Sequence, residues 1–262
     1  MTPLYSPADI AKRAAAHRAV DFVKDGMRLG LGTGSTAAFM VSRLGERVRD
    51  EGLRIIGVPT STRTAALAQK EGIRIITLDE AKWLDMTIDG TDEFDPELNL
   101  IKGGGGAHLQ EKVVATASDR MIVISDVGKK VQQLGAFPLP VEVIRFGWQT
   151  TRILLEELIA SLGMQLREVT LRMNGDAAFI SDEGNYILDL HLGRIGNARQ
   201  LALVLNQVPG VVENGLFMDI CDLVIIGHSD GSTELIEAQE GVLEGLKNAP
   251  IGADNLFADI GD

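Results

Sequence analysis

The segment Met27-Arg-Leu-Gly-Leu-Gly-Thr-Gly-Ser-Thr36 decides the fold class. Its apolar start predicts a buried β-strand over residues 27–32, and the glycine turn leads into a helix predicted over residues 35–49. A strand that passes through such a turn into a helix is typical of α/β sheets. Ligands in these sheets bind beyond the carboxyl ends of the strands, so the turn is also a candidate binding site.

The same alternation continues on both sides of this segment. Ser6-Pro-Ala-Asp9 offers an N-cap and a proline at the first helical position, which predicts a helix that runs to about Lys24. Further strands are predicted over residues 53–58, 73–77, 86–88 and 121–125, with a helix over residues 62–71. This alternation predicts an α/β fold with a mostly parallel sheet that is covered by helices on both faces.

The pattern changes after Phe137-Pro-Leu-Pro140. The predicted elements are then a strand over 141–146, a helix over 150–162, strands over 165–172 and 186–192, a helix over 198–207 and a strand over 211–217. This β-α-β-β-α-β order is that of a ferredoxin-like unit. A buried strand over 223–227 returns to the first sheet, and an acidic helix and a tail are predicted after it. We therefore predict a large α/β catalytic domain of residues 1–136 and 218–262, and an inserted, smaller α+β domain of residues 137–217.

Composition restricts the partners. The 262-residue chain has a formal net charge of -12, with 45% hydrophobic and 24% charged residues, which favours a globular protein over a disordered one. An acidic surface repels polyphosphate, so neither nucleic acid nor an anionic membrane is expected as a partner. An anionic small molecule would need a local cationic pocket.

The chain also carries signals of its compartment. Its single cysteine, Cys221, excludes an internal disulfide and is predicted to be a buried apolar residue. The N-terminal residues lack the basic and apolar regions of a secretory signal, and no apolar run approaches the ~20 residues of a membrane span. We therefore expect a cytoplasmic protein.

The turn Gly30-Leu-Gly-Thr-Gly-Ser-Thr36 is a candidate anion site. Glycines allow the backbone to approach an anion, and the following helix N-terminus presents unpaired N–H groups. Thr33, Ser35 and Thr36 add hydroxyl donors. A tight turn with a Ser/Thr cap explains the same residues equally well. The lysine of a P-loop is missing, and no acid follows the second strand to hold the ribose of a dinucleotide.

A second candidate, Asp89-Gly-Thr-Asp-Glu93, follows the strand predicted over residues 86–88. Carboxylates at the end of a strand can accept hydrogen bonds from sugar hydroxyls or relay their protons. A solvated acidic turn is the competing interpretation. The spacing of an EF-hand is absent, and the four histidines form no zinc-binding pattern, so no metal site is predicted.

The most specific motif is Lys102-Gly-Gly-Gly-Gly-Ala-His-Leu-Gln-Glu111. Four glycines support no core and are costly to order, so a structural explanation is weak. Their amides can converge on a developing negative charge, to which Lys102 adds a full positive charge. Glu111 lies near the start of the following helix, within reach of the same space. We therefore predict a catalytic function for this motif.

These motifs, together with Gly135-Ala-Phe-Pro-Leu-Pro-Val-Glu-Val143, resemble in sequence and order those of the ribose-5-phosphate isomerase A family. The resemblance extends from about Asp9 to Gly227. It implies that Glu111 is the proton acceptor, with Asp89 and Lys102 as further catalytic residues. The substrate contacts it implies are Lys12, Thr33, Gly34, Ser35, Thr36, Asp89, Gly90, Thr91, Asp92, Lys102, Gly103, Gly104, Gly105 and Lys129.

The same resemblance implies a function. It implies conversion of D-ribose 5-phosphate to D-ribulose 5-phosphate through an enediolate, in the non-oxidative pentose phosphate pathway, without a metal or organic cofactor. A homodimer or homotetramer is expected. Gly106 and Thr91 stand where many relatives have alanine, and the C-terminal tail extends past the family's usual end. A sugar-phosphate-sensing domain and a coenzyme A transferase of related architecture stay as alternatives, and an NAD-dependent oxidoreductase is the weakest.

Overall fold

A computed structural model describes residues 5–164 and 168–238. Its helices are α1 Pro7–Val20, α2 Ser35–Asp50, α3 Thr62–Lys70, α4 Leu78–Ala81, α5 His108–Thr116, α6 Trp148–Ser161 and α7 Ala198–Leu205, with a 3-10 turn at Val127–Lys129. Its strands are β1 Arg28–Leu31, β2 Ile56–Pro59, β3 Arg74–Ile75, β4 Met86–Gly90, β5 Glu93–Phe94, β6 Leu100–Ile101, β7 Met121–Asp126, β8 Leu139–Val143, β9 Glu168–Leu171, β10 Met173–Asn174, β11 Ala177–Ala178, β12 Tyr186–His191, β13 Val211–Asn214, β14 Leu216–Phe217, β15 Leu223–Gly227 and β16 Thr233–Glu237.

The largest sheet has seven strands in the order β16-β15-β7-β4-β1-β2-β3. All neighbours are parallel except β15 and β16. Successive residues of β7 face opposite sides: Ile122 packs in the core with α1 and α2, whereas Val123 packs against Phe94 and Phe217. The second side is covered by α5 and by a three-stranded antiparallel sheet, β14-β6-β5. The predicted α/β class with a mostly parallel sheet is confirmed.

Helix α1 shows how the sequence produces this packing. The Ser6 side chain accepts a hydrogen bond from the backbone N–H of Asp9 and caps the helix, with Pro7 at its first position. The helix lies close to the sheet because alanines line its buried face and because β15 ends in glycine. A Cβ atom at Gly227 would lie 1.9 Å from the carbonyl oxygen of Ala11.

The second large sheet is antiparallel, with the strand order β13-β8-β12-β9. Helices α6 and α7 pack on it around an apolar core of their own. The elements thus follow the predicted ferredoxin-like order, with a β10–β11 hairpin added between β9 and β12. Ile101 and Leu134 also belong to this core, and the division into a domain of residues 137–217 and one of residues 1–136 and 218–262 stays a proposal.

Two details differ from the predictions. The helix predicted after Gly227 is wrong for the part that the structure describes, where Thr233-Glu-Leu-Ile-Glu237 forms β16 and pairs with β15. The unpaired edge of β15 offers backbone partners that a helix could not use. The rest of that predicted helix, the tail, and the start of the strand predicted over residues 165–172 lie outside the described residues.

The predicted strand over residues 211–217 is two strands that belong to different sheets, β13 and β14. They separate at Gly215, where a Cβ atom would lie 2.3 Å from the carbonyl oxygen of Lys102. The predicted burial of Cys221 is observed. Within residues 5–164 and 168–238, no helix has the length and apolar character required to cross a bilayer.

Candidate active site

One cleft brings together the turns that follow β1, β4 and β7, all at the carboxyl edge of the seven-stranded sheet. It is lined by Lys12, Thr33, Gly34, Ser35, Thr36, Gly90, Thr91, Asp92, Lys102, Gly103, Gly105, Glu111, Ser125, Asp126 and Lys129. Apart from Asp89 and Gly104, every site residue predicted from the sequence lies on this surface. Five separate stretches of the chain therefore form one site.

A buried ionic cluster lies at the base of the cleft. The Nζ atom of Lys102 is 3.0 Å from Oδ2 of Asp89 and 3.3 Å from Oε2 of Glu111. It also donates a hydrogen bond to the carbonyl oxygen of Gly90. Lys102 is 2% exposed, Asp89 0% and Glu111 3%, so little water screens these charges. Two carboxylates share one ammonium group.

This imbalance of charge changes the acidity of the cluster. Burial, with a further contribution from the negative charge of Asp89, raises the pKa of Glu111 to about 8 against the opposing effect of Lys102. Burial likewise raises the pKa of Asp89. Burial alone would lower the pKa of Lys102, but the carboxylates outweigh it and raise the pKa, so the amine stays charged. A carboxylate that titrates near neutral pH is suited to transfer protons in both directions.

The two carboxylates of the cluster are held differently. Asp89 is fixed, because its Oδ1 accepts hydrogen bonds from the N–H groups of Thr33, at 3.1 Å, and Gly90, at 2.7 Å. Gly32 allows this approach, since a Cβ atom there would lie 2.5 Å from the Cα of Asp89. Among the described residues, no hydrogen-bond donor is aligned with Asp89 Oδ2 or Glu111 Oε2. Both oxygens instead face the ammonium group of Lys102, at 3.0 Å and 3.3 Å.

The glycine loop, residues 103–106, connects Lys102 to α5. Gly103 has φ +107° and Gly106 has φ +77°, which are left-handed conformations that favour glycine. The N–H of Gly104 donates to Oδ2 of Asp92 at 2.7 Å. The hydroxyl of Thr91 donates to the carbonyl oxygen of Ile101 at 3.0 Å. Asp92 and Thr91 thus shape the loop from the strand β4 side.

The opposite end of the cleft is built to hold an anion. Gly34, with φ +125°, precedes α2 without any side-chain cap, so the first N–H groups of the helix are free to bind a ligand. Lys12 of α1 donates to the hydroxyl of Ser35 at 3.0 Å, and Lys129 lines the cleft from the 3-10 turn. Two ammonium groups and a helix N-terminus form the cationic pocket that an acidic protein needs for an anionic ligand.

Thr33 lines the cleft, but its polar groups contact the protein. Its Oγ1 lies 2.8 Å from the hydroxyls of Thr60 and Ser61 and 3.1 Å from that of Thr64. Its N–H is bonded to Asp89. The direct contact of Thr33 with substrate stays a prediction, and the observed bonds show it joining the turn to Asp89.

Ser125 and Asp126 line the cleft and were not predicted. Asp126 accepts the N–H of Gly128 at 2.9 Å and so begins the turn that presents Lys129. Both residues end β7, and the rule that ligands bind at the carboxyl ends of parallel strands would have identified them. Within residues 5–164 and 168–238, no three His, Cys, Asp or Glu side chains are grouped closely enough to hold a metal ion.

Comparisons with known proteins agree with this geometry. Residues 56–231 match the sequence profile of the ribose 5-phosphate isomerase A (phosphoriboisomerase A) family. A ribose-5-phosphate isomerase A from Ruegeria pomeroyi is 66% identical over 262 residues, which are 100% of both chains, so this relative also has the C-terminal tail.

Solved structures show the same similarity. A ribose 5-phosphate isomerase from Plasmodium falciparum has a TM-score of 0.83 and 34% identity, covering 87% of this chain and 98% of that one. A D-ribose-5-phosphate isomerase in complex with phospho-erythronic acid has a TM-score of 0.80 and 38% identity, covering 86% of this chain and 97% of that one. The chain belongs to the ribose 5-phosphate isomerase A family.

Proposed function

We propose that this protein interconverts D-ribose 5-phosphate and D-ribulose 5-phosphate. The observation that carries the proposal is the cluster of Asp89, Lys102 and Glu111, which faces a cleft whose other end is cationic. A five-carbon sugar phosphate has the matching polarity, with a reactive carbonyl at one end and a phosphate at the other. The named relatives and the solved relative that holds phospho-erythronic acid support the same substrate class.

In the proposed reaction Glu111 moves one proton between adjacent carbons. Its carboxylate takes the proton from C2 of the open-chain aldose, and the C–H electrons form the C1–C2 double bond of an enediolate as the C1 carbonyl becomes an oxyanion. Glu111 then returns the proton to C1, where the electrons of the C1–C2 double bond form the new C–H bond, while the proton of the C2 hydroxyl moves to the C1 oxyanion and C2 becomes the ketone. A raised pKa suits both steps, because the group must accept and release a proton at similar cost.

Lys102 and the glycine loop stabilise the enediolate. The ammonium group lies between both carboxylates at the base of the cleft, where low dielectric strengthens its attraction for a developing oxyanion. Asp89 has an oxygen that accepts no aligned hydrogen bond, so we assign it the transfer of hydroxyl protons. Asp92 is bonded to the N–H of Gly104, and we assign it the positioning of the loop.

The phosphate binds at the far end, to the first N–H groups of α2, Ser35, Thr36, Lys12 and Lys129. This contact anchors the substrate without touching the reacting carbons, so its binding energy positions C1 and C2 over Glu111. The turn needs glycine at position 34 because its φ is +125°, a conformation in which a residue with a side chain would be strained.

We further propose that the enzyme needs no metal or organic cofactor, is cytoplasmic, and forms a homodimer or homotetramer. Large apolar side chains on its surface support self-association: Phe146 is 89% exposed and Leu203 is 68% exposed.

A direct assay tests the function. The purified protein is given ribose 5-phosphate alone, and formation of ribulose 5-phosphate is followed with and without EDTA. We expect turnover in both conditions. A sensing domain would bind the substrate without turnover, and a transferase would require an acyl-coenzyme A. Complete loss of activity with EDTA, restored by one divalent ion, would overturn the cofactor-free mechanism.

A further inference from the structure

An arginine of the antiparallel sheet reaches the glycine loop of the active site. Arg172, between β9 and β10, donates from Nη1 to the carbonyl oxygen of Gly103 and lies 3.3 Å from that of Gly104. The sequence motifs do not include it, and no step of the proposed reaction uses it. Its partners are carbonyl groups of the peptides that face the cleft.

The guanidinium group is itself held in place. Its Nε donates to Oδ2 of Asp189 on β12 at 2.9 Å, and Nη2 contacts the other carboxylate oxygen. The Arg172 side chain is 13% exposed and that of Asp189 16%. A two-point contact with a carboxylate fixes the plane of the guanidinium group, which a single contact would not do. Arg172 is therefore a rigid extension of the sheet.

This contact sets the direction of two peptide groups. The C=O and N–H of a trans peptide point in opposite directions, so a group that holds the carbonyl also aims the N–H. The Gly103–Gly104 peptide is held at both ends, by Arg172 at its oxygen and by Asp92 at its N–H. Arg172 also approaches the oxygen of the next peptide, whose N–H belongs to Gly105 on the wall of the cleft.

We propose that Arg172 is a positioning residue for the isomerisation: together with Asp92 it orients the glycine loop so that the N–H of Gly105, on the wall of the cleft, faces the oxyanion of the enediolate. A cation on the carbonyl oxygen also polarises the peptide and makes its N–H a stronger donor. The inference rests on the proposed function. It makes the small antiparallel sheet a part of the catalytic apparatus.

A purely structural role would be to attach the two sheets to each other. Other contacts already do this: Lys112 donates to the carbonyl oxygen of Asn214 at 2.7 Å, and Asp182 accepts the N–H of Thr62 at 2.8 Å. Loss of Arg172 should therefore leave the sheets docked while the glycine loop loses its orientation. The two roles predict different kinetics.

The test compares Arg172→Ala and Arg172→Lys with Arg199→Ala, which removes an arginine–aspartate pair with Asp219 that does not line the cleft. For Arg172→Ala we expect kcat to fall about 10–100-fold, somewhat less than for loss of a direct oxyanion donor. KM and inhibition by inorganic phosphate should change by less than about threefold, because the anion end of the cleft is intact.

Two further measurements separate orientation from folding. Phospho-erythronic acid carries a carboxylate at the position of the enediolate oxygens, so its Ki should rise in proportion to the loss of kcat/KM. Added guanidinium ion should restore part of the activity of Arg172→Ala. Arg172→Lys should be intermediate, since a single ammonium cannot hold Asp189 and both carbonyls. Arg199→Ala should match the wild type.

The inference fails if Arg172→Ala has a kcat within about threefold of wild type, or if phosphate and phospho-erythronic acid lose affinity equally. If Arg172→Ala does not fold, Asp189→Asn provides the test, because it keeps the arginine but loosens its orientation. We expect its kcat to fall about 3–10-fold, and a wild-type kcat would contradict the inference. A wild-type protein without isomerase activity would instead overturn the proposed function.

Discussion

Two ionic clusters, one buried and one half-buried, involve neighbouring residues of α5, and they are built in opposite ways. Glu111 points into the cleft, where it and Asp89 share the charge of Lys102. Lys112, the next residue, faces the antiparallel sheet and lies 2.9 Å from Oε1 of Glu213. Glu213 also accepts the N–H of Asn214 at 2.7 Å. The first cluster has a surplus carboxylate, whereas the second is a matched pair with further hydrogen bonds.

The acidities of the two glutamates show the consequence. Burial would raise the pKa of Glu213, but Lys112 and the hydrogen bonds outweigh it, and the pKa is lowered. Burial lowers the pKa of Lys112, so the pair is only moderately stabilising. With one more carboxylate nearby, the pKa of Glu111 is instead raised to about 8. Deep burial, followed by the charge of a second carboxylate, raises the pKa of Glu111, whereas the cation and hydrogen-bond donors around the less buried Glu213 lower its pKa.

The largest effect on activity is expected for Glu111→Gln, which keeps the shape of the side chain and removes the base. We expect kcat to fall about 10²–10⁴-fold, since this is the contribution of a positioned general base. Exchange of the substrate proton with deuterated water should fall in parallel, while inhibition by inorganic phosphate should not change. Turnover near the wild-type rate would show that the base is another group, with Asp89 the next candidate.

The pH dependence of kcat/KM tests the raised pKa of Glu111 and the contribution of Asp89 to it. Glu111 must be ionised to act as a base, so kcat/KM should rise with pH and level off above its pKa of about 8. Below that pH it should change about tenfold per pH unit. Asp89→Asn removes a negative charge that raises the pKa of Glu111, so the acid limb should move to lower pH, whatever the activity of the variant. If the acid limb does not move, the charge of Asp89 does not influence the pKa of Glu111.

The anion end of the cleft should show a smaller effect of another kind. Lys129→Ala and Ser35→Ala each remove a contact to phosphate, so KM should rise about tenfold or more, with a smaller change in kcat. Ser42→Ala is the matched control, because Ser42 lies on the same helix but contacts Glu71 instead of the cleft. A normal KM in both test variants would remove these residues from the phosphate site.

The smallest effect on activity is expected for Lys112→Met, which disrupts the structural cluster. The free energy of unfolding should fall by about 1–3 kcal/mol because the half-buried Glu213 loses its cation, yet kcat should stay within about threefold. Glu213 has a lowered pKa, so its contribution to stability is present above its unfolded pKa and is lost as pH falls. The destabilisation should therefore shrink in acid. A loss of kcat as large as that of Glu111→Gln would make both clusters catalytic.

The sequence predicted the features that depend on residues close together in the chain, namely the three site motifs and the order of the helices and strands. Of the three motifs, only the lysine–polyglycine–glutamate run had a weak structural explanation from sequence alone, and the structure brings all three into one cleft. The β-α-β-β-α-β order of the elements around the small sheet was predicted from the sequence as well, and the structure shows that order with one added hairpin.

The rest depends on contacts between distant segments. Arg172 is a charged residue between two strands. Its partner Gly103 lies 69 positions earlier in the chain, and only the fold brings the two residues into contact. The hydroxyl of Thr33 was expected to face a ligand, but Thr60, Ser61 and Thr64 converge on it from another turn. Without β16, the strand β15 would lie at the edge of the sheet, and β16 forms by pairing with it. No local sequence pattern predicts which strand would be left at an edge.

The backbone of Lys102 has a consequence for the timing of synthesis. Its N–H donates to the carbonyl oxygen of Gly215 at 2.9 Å, so the lysine that we propose to be catalytic is anchored by a residue that the ribosome adds much later. At about 5–20 residues per second, the delay between these two residues is roughly 6–23 s. During that time the nascent chain contains both Lys102 and Glu111 but lacks the strand that fixes the glycine loop. We therefore expect the enzyme to remain inactive on the ribosome until the inserted segment has folded and the chain has returned to the first sheet.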